Sequence, residues 1–234
     1  MSYHYVQDVK LFHDKFGLVT PNEFVRLDDD LHKFRSGFFQ EELTEYEEAA
    51  RDKDLATVLD SLVDLDYIIA GAALVHGIQH EELYAATMVV DEFFSNDAVL
   101  DQGLAADVVR ISLPDPLVVA AFTSLMRDHI DCFNAVHEHE DMTMSTRHEY
   151  VKYVLAAMFN SCLSAAGYSG CTEELWDELW ADVQRANMSK ERVLRQSDSK
   201  RGSTYDVIKP AGWVPPGTEE IIAKHQAWVK NEVQ

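Results

Sequence analysis

Five carboxylates in two short runs are the residues here whose types and spacing could do chemistry. Glu41, Glu42 and Glu45 stand in Phe38-Phe39-Gln40-Glu41-Glu42-Leu43-Thr44-Glu45, and Asp60 and Asp64 stand in Asp60-Ser61-Leu62-Val63-Asp64. On a helix turning about 100° per residue, Leu31, Phe34 and Phe38 form an apolar stripe that the three glutamates continue. Asp60 and Asp64, one turn apart, share a face of a segment that is otherwise apolar, whereas Asp66 points the other way. Acids at core positions are costly to ionise, and clustered acids more so, which calls for a neutralising cation. Every candidate ligand is a hard oxygen, and no Cys or His stands at ligand spacing. That donor set suits Mg²⁺, with Mn²⁺ as substitute, rather than zinc or copper.

These acids need two helices that face one another. A first helix is expected over residues 5–16, with Val9, Phe12 and Phe16 on one side and Gly17 closing it. The second runs from about 28 to 51, its leading Asp28-Asp29-Asp30 suiting the helix dipole, with Lys33 and Arg35 read as exposed and solubilising. Asp54 caps a third helix that reaches His76 and stops at Gly77, and Ala70-Gly71-Ala72-Ala73 lets a neighbour approach closely. Further helices are expected over 80–94, from Pro114 and Pro116 to about 140, over 147–166, and from an N-cap at Thr172 to Lys190. Residues 95–103 read as a connector, and 104–113 as either strand or helix. Almost nothing alternates with period two, so the fold class is all-α, a helical bundle.

The chain has 234 residues, 47% of them hydrophobic, enough for a real core. A net charge of −21 argues against a nucleic-acid groove or an anionic membrane surface, and small anions would need a local basic patch or a metal. Three cysteines without metal spacing argue against a disulfide framework and for a reducing, cytoplasmic setting. No signal-like or membrane-spanning apolar run is seen.

Basic residues concentrate late. Lys190, Arg192, Arg195, Lys200, Arg201 and Lys209 form an anion-attracting patch, with Gly202 and Ser203 letting backbone N–H groups approach phosphate. The divisions expected are a metal-binding unit over 1–95, a second helical unit over 96–190, and a basic tail with a C-terminal helix over 191–234. Placing Glu81-Glu82-Leu83-Tyr84 against Glu173-Glu174-Leu175-Trp176 suggests a degenerate repeat, in which Glu42, Glu45, Asp60 and Asp64 fall on Asn134, His137, Lys152 and Ala156. His137-Glu138-His139-Glu140-Asp141 resembles a metal tract but reads better as a solvated helix end, and Phe12, Phe16 and Trp176 read as core.

The two acidic runs, the small-residue stretch 70–77, Ala186-Asn187-Met188-Ser189-Lys190 and the tail over 200–216 together resemble the all-α NTP pyrophosphohydrolase superfamily. These are the MazG-like and phosphoribosyl-ATP pyrophosphohydrolase-like proteins, and the tail looks like that of phage-type members. The resemblance implies Mg²⁺ on Glu42, Glu45 and Asp64, with Asp60 standing in where the family's pattern would place Glu at Ser61. It implies Asn187 as a contact for sugar or base and Lys190 as a contact for phosphate. The remaining basic residues Arg192, Lys200, Arg201 and Lys209 would hold outer phosphates.

The function expected is Mg²⁺-dependent cleavage of a (d)NTP to (d)NMP and pyrophosphate, with Glu41 or Glu45 taking a proton from water. Alternatives are a dUTPase- or dCTPase-like member and a non-catalytic helical interaction module. The absence of any Glu-x-x-His argues against a di-iron bundle. The expected partner is the nucleotide alone, with a homodimer favoured and, for a phage protein, the host cytoplasm as location.

Overall fold

The computed structural model describes residues 4–94 and 110–232. Among these lie eight α-helices: α1 (His4–Phe16), α2 (Asp29–Asp52), α3 (Leu55–Val75), α4 (His80–Phe94), α5 (Pro116–Glu138), α6 (Met144–Tyr168), α7 (Glu173–Met188) and α8 (Thr218–Glu232). The connector expected over 95–103 and most of 104–113 lie outside the described residues. The all-α class stands, with one small addition: Glu191–Arg192 (β1) pairs antiparallel with Val207–Ile208 (β2) inside the tail. Two-residue strands leave no alternation for a sequence pattern to show.

Helix ends follow from local chemistry. Asp28, Asp54, Asp115, Thr143 and Thr172 each accept a backbone N–H in the first turn of α2, α3, α5, α6 and α7. At the end of α3, Gly77 takes φ +77°, and a Cβ there would lie 2.1 Å from the Glu23 carbonyl oxygen. Only glycine meets both conditions. Among the described residues no helix is long and apolar enough to cross a membrane.

The apolar helix α3 is the axis of the fold. It packs against α1, α2, α6, α7 and α8, and Leu59, Leu62, Val63, Leu65 and Ile69 along it are fully buried. Burial of each such side chain contributes about 1.5–3 kcal/mol. Phe12, Phe16 and Trp176 join the same core.

One construction occurs twice. The segment before α2 crosses the end of α3 through Val25 N–H donating to the His76 carbonyl, and the segment before α5 crosses the end of α6 through Ser112 N–H donating to Ser169. Gly170, φ +79°, sits against the Arg110 carbonyl as Gly77 sits against Glu23. The buried positions Arg35, Ser36, Phe39, Leu43, Tyr46 and Ala49 of α2 are matched in order by Phe122, Thr123, Met126, Ile130, Phe133 and Val136 of α5. These contacts pair Glu42 and Glu45 with His129 and Cys132, and Asp60 and Asp64 with Tyr153 and Ala157. The longer turn between α5 and α6 moves the partners of Glu42 and Glu45 away from Asn134 and His137, and the Gly77–Gly170 correspondence moves those of Asp60 and Asp64 by one residue from Lys152 and Ala156.

Two expectations change. Arg35 is buried, not exposed: its Nη1 lies under Gly71, where a Cβ would meet it at 3.1 Å, and burial lowers its pKa to about 10. His137 alone departs from the solvated helix end expected over 137–141, whose residues 138–141 are exposed. It is buried, its ring stacks on His32 at 3.7 Å, and its Nε2 lies 3.0 Å from an Asp29 carboxylate oxygen.

Candidate metal and phosphate site

Glu41, Glu42 and Glu45 lie along the flank of α2, beside rather than within its buried face of Phe39, Leu43 and Tyr46. Phe34 and Phe38, expected to point at the core, are half-buried and meet the tail instead: Phe34 contacts the Tyr205 ring at 6.3 Å, and the Arg201 guanidinium lies 4.5 Å from the Phe38 ring centre. Arg201 donates to both Glu41 oxygens, at 2.8 and 2.7 Å, and to buried Asp206 at 3.1 Å. This planar fork ties the tail to the acidic face of α2.

Asp60 and Asp64 approach that face from α3. Thr218, the first residue of α8, donates its hydroxyl to Asp60 at 2.8 Å. Ser61 is buried with an unpartnered hydroxyl. Position 61 faces the interior while position 60 faces the tail, which accounts for an acid at 60.

The electrostatics link the two pairs. Burial, then Asp64, Glu45 and Glu41, push Glu42 up to about 9. Burial, then Asp60, push Asp64 up to about 7, with Lys190 opposing. Burial also raises Asp60, against the Thr218 hydrogen bond and Lys209. Glu45 is raised by burial and by Asp60, with Lys209 opposing. Burial depresses Lys190, and Asp64 and Glu42 counteract it. Each of the four acids therefore lies within the electrostatic reach of Lys190 or Lys209.

Those lysines sit on a ring platform. Lys209 lies 4.3 Å and Lys190 5.9 Å from the Trp213 ring centre, and the Trp213 indole donates to the Ala186 carbonyl at 2.9 Å, anchoring the tail on α7.

Other tail residues are placed differently. Arg192 donates to the Phe16 and Gly17 carbonyls at 2.7 and 3.1 Å, closing the C-terminus of α1 away from the acids. Asn187 is buried beside the Tyr67 hydroxyl, beneath the site. Lys200 is exposed and makes no contact with the acids. Sequence reasoning missed Thr218 and Trp213, the hydroxyl on Asp60 and the ring under both lysines. The prolines at 215 and 216, just before α8, were the available signal for Thr218.

The donor chemistry fits a hard divalent cation. Glu42 Oε2 is buried without a hydrogen-bond partner, and the remaining donors are carboxylate oxygens. As the side chains stand, no three acidic, His or Cys residues among those described are close enough to hold an ion between them.

Residues 9–87 match the family model described as phosphoribosyl-ATP pyrophosphohydrolase. The match covers about a third of the chain, from within α1 into α4, and includes all five acids. Neither a curated protein nor a solved structure matches the chain. Over this segment, with its paired acidic helices and all-α architecture, the chain is similar to the phosphoribosyl-ATP pyrophosphohydrolase family.

Proposed function

We propose that this chain hydrolyses a nucleoside triphosphate to the monophosphate and pyrophosphate, with Mg²⁺ held by Glu42, Glu45, Asp60 and Asp64 and Mn²⁺ able to replace it. The observation that carries this reading is the set of four acids raised above their ordinary range around Lys190 and Lys209, on a segment of a pyrophosphohydrolase family. A divalent cation, when bound, supplies positive charge against the triphosphate's roughly four negative charges and acidifies a water.

The chain's own residues do the rest. Lys190 and Lys209, now directed at the acids, turn to the phosphate oxygens once the acids are otherwise neutralised. Arg201, at the edge of the site, is a further cation for the phosphate oxygens. Glu45 takes the proton of the attacking water: burial and Asp60 raise its basicity, whereas Glu41 is engaged by Arg201. Trp213 and the strand pair hold the lysines in place.

The second unit, whose acid positions are His129, Cys132, Tyr153 and Ala157, gives α2 and α3 the cover that a second copy would otherwise give, so one chain carries one site. Three free cysteines, two of them buried, fit a reducing cytoplasm.

Pyrophosphate release from all natural NTPs and dNTPs, dUTP and dCTP included, and from phosphoribosyl-ATP tests the reading. At least one nucleotide is expected to give monophosphate and pyrophosphate in equal amounts, only with Mg²⁺ or Mn²⁺. No turnover across the panel, or diphosphate with orthophosphate as products, would contradict it.

A further inference from the structure

A glycine in the middle of a helix needs a reason, since it costs about 1 kcal/mol relative to alanine. Gly37 lies in the middle of α2, and neither of the usual reasons applies. Its backbone is ordinary helix, and a Cβ built there would meet nothing within 4 Å. No neighbouring helix presses on it, and no turn requires it. What it borders is a cavity of about 900 Å³ between α2 and the tail loop, bounded also by Lys33, Phe34 and Glu41 on one side and Arg201, Thr204 and Tyr205 on the other. That is the size of a small-molecule site.

The cavity adjoins the site above through Glu41 and Arg201, whose bidentate pair stands on its wall. Phe34 and Tyr205 give it ring surface. Asp28 is occupied in capping Leu31 N–H at 2.8 Å and Asp29 with His137 at 3.0 Å. The side chains of Lys33, Asp30 and Thr204 make no hydrogen bond or ion pair within the described chain. The three aspartates at the start of α2 make one end of the cavity hostile to phosphate, and the cations Lys190, Lys209 and Arg201 lie toward the other. A ligand with a neutral, planar, donor-bearing part and an anionic tail matches that polarity.

We infer that this cavity receives the sugar and base of the nucleotide, with Gly37 kept free of a side chain so that the nucleoside lies against the backbone of α2. The inference rests on the reading of the acids and lysines as a triphosphate site. Within it, Phe34 and Tyr205 supply apolar ring contact, and Asp30 and Thr204 accept hydrogen bonds from the base or sugar. The tail loop over 196–205 is then part of the specificity pocket rather than a strap.

Gly37→Ala, Gly37→Leu and Gly37→Phe give the test, because a Cβ at this position borders the cavity and strikes nothing, and a helix gains from losing glycine. Thermal unfolding verifies that each variant is folded. Calorimetric binding of the nucleoside monophosphates is measured beside turnover and beside inhibition by inorganic tripolyphosphate, which has no nucleoside. Monophosphate affinity and 1/KM are expected to fall slightly for Gly37→Ala and at least tenfold for Gly37→Leu and Gly37→Phe, with tripolyphosphate inhibition unchanged.

Wild-type KM and monophosphate affinity in Gly37→Phe would overturn the pocket while leaving the hydrolase reading intact, and so would a wild-type protein that binds no monophosphate. Monophosphate binding that disappears in Gly37→Phe, in a protein that turns over no triphosphate, would uphold the pocket and overturn the hydrolase reading.

Discussion

Glu42→Gln and Asp64→Asn each lower kcat/KM for the best triphosphate by about 10²–10³-fold, the scale of losing one charge-stabilising group, while the metal-free protein becomes more stable. The opposite signs follow from one fact. Without metal, Glu42 is buried among Asp64, Glu45 and Glu41 with its pKa near 9, so at pH 7 it stays protonated in the folded chain although it is ionised in the unfolded one. Holding that proton costs about 2 kcal/mol, after allowance for the group's partial exposure. Gln keeps the shape of the neutral acid without that cost, so Tm in EDTA is expected to rise by about 4–8 °C. Steady-state kinetics with Mg²⁺ and thermal unfolding without it measure both halves. Wild-type kcat/KM in both variants would remove the acids from the chemistry, and a fall in metal-free Tm would remove the buried proton.

The stability of the metal-free protein falls as pH rises above about 6.5, and Mg²⁺ abolishes most of that fall. Glu42, Asp64 near 7 and Asp66 all have folded pKa values raised, burial first among the causes. Their contribution is whole below the unfolded values near 4 and is lost as pH climbs through the folded ones. Buried His13, His32 and His76 act oppositely. Burial holds them at about 3, 4 and 3, so the unfolded chain takes up protons below about 6.5 and stability falls on that acid side.

The two sets offset one another below pH 6.5, and the carboxylates act alone above it. Between pH 7 and 9 the loss from Glu42 is expected to be about 1 kcal/mol per pH unit. Mg²⁺ stabilises ionised Glu42 and Asp64 and does not reach Asp66, which lies inside the core beside the Cys162 thiol. Urea denaturation at several pH values, in EDTA and in Mg²⁺, gives both slopes. Equal slopes in the two conditions would contradict the assignment.

Much of this was legible in the chain because it is local. Asp54 and Thr172 cap where a capping side chain was expected, Gly17 and Gly77 end their helices with positive φ, and the apolar run of α3 is the core helix. The acids were legible as chemistry because carboxylates in apolar runs are costly. What covers each helix face was not legible. Periodicity placed Phe34, Phe38 and the glutamates on one stripe, but that stripe faces residues 201–205, brought there by a tail some 160 positions away. The same blindness hid Arg35 in the core and set Arg192 against α1 rather than phosphate, since a charge pattern does not reveal which carbonyls lie opposite. Gly37 carried a signal in plain view, a glycine within a helical run, whose meaning needed the cavity beside it.

The most direct measurement is the proton balance of metal binding. Mg²⁺ or Mn²⁺ is titrated into metal-free protein at pH 7.5 in buffers of different ionisation enthalpy. A carboxylic acid that must ionise to become a ligand gives up its proton, so binding is expected to release about one proton per site in the wild type, most of it from Glu42, and only a small fraction of one in Glu42→Gln. Binding without proton release, or equal affinity in the Glu42→Gln/Asp64→Asn double variant, would show that these acids are not the metal centre.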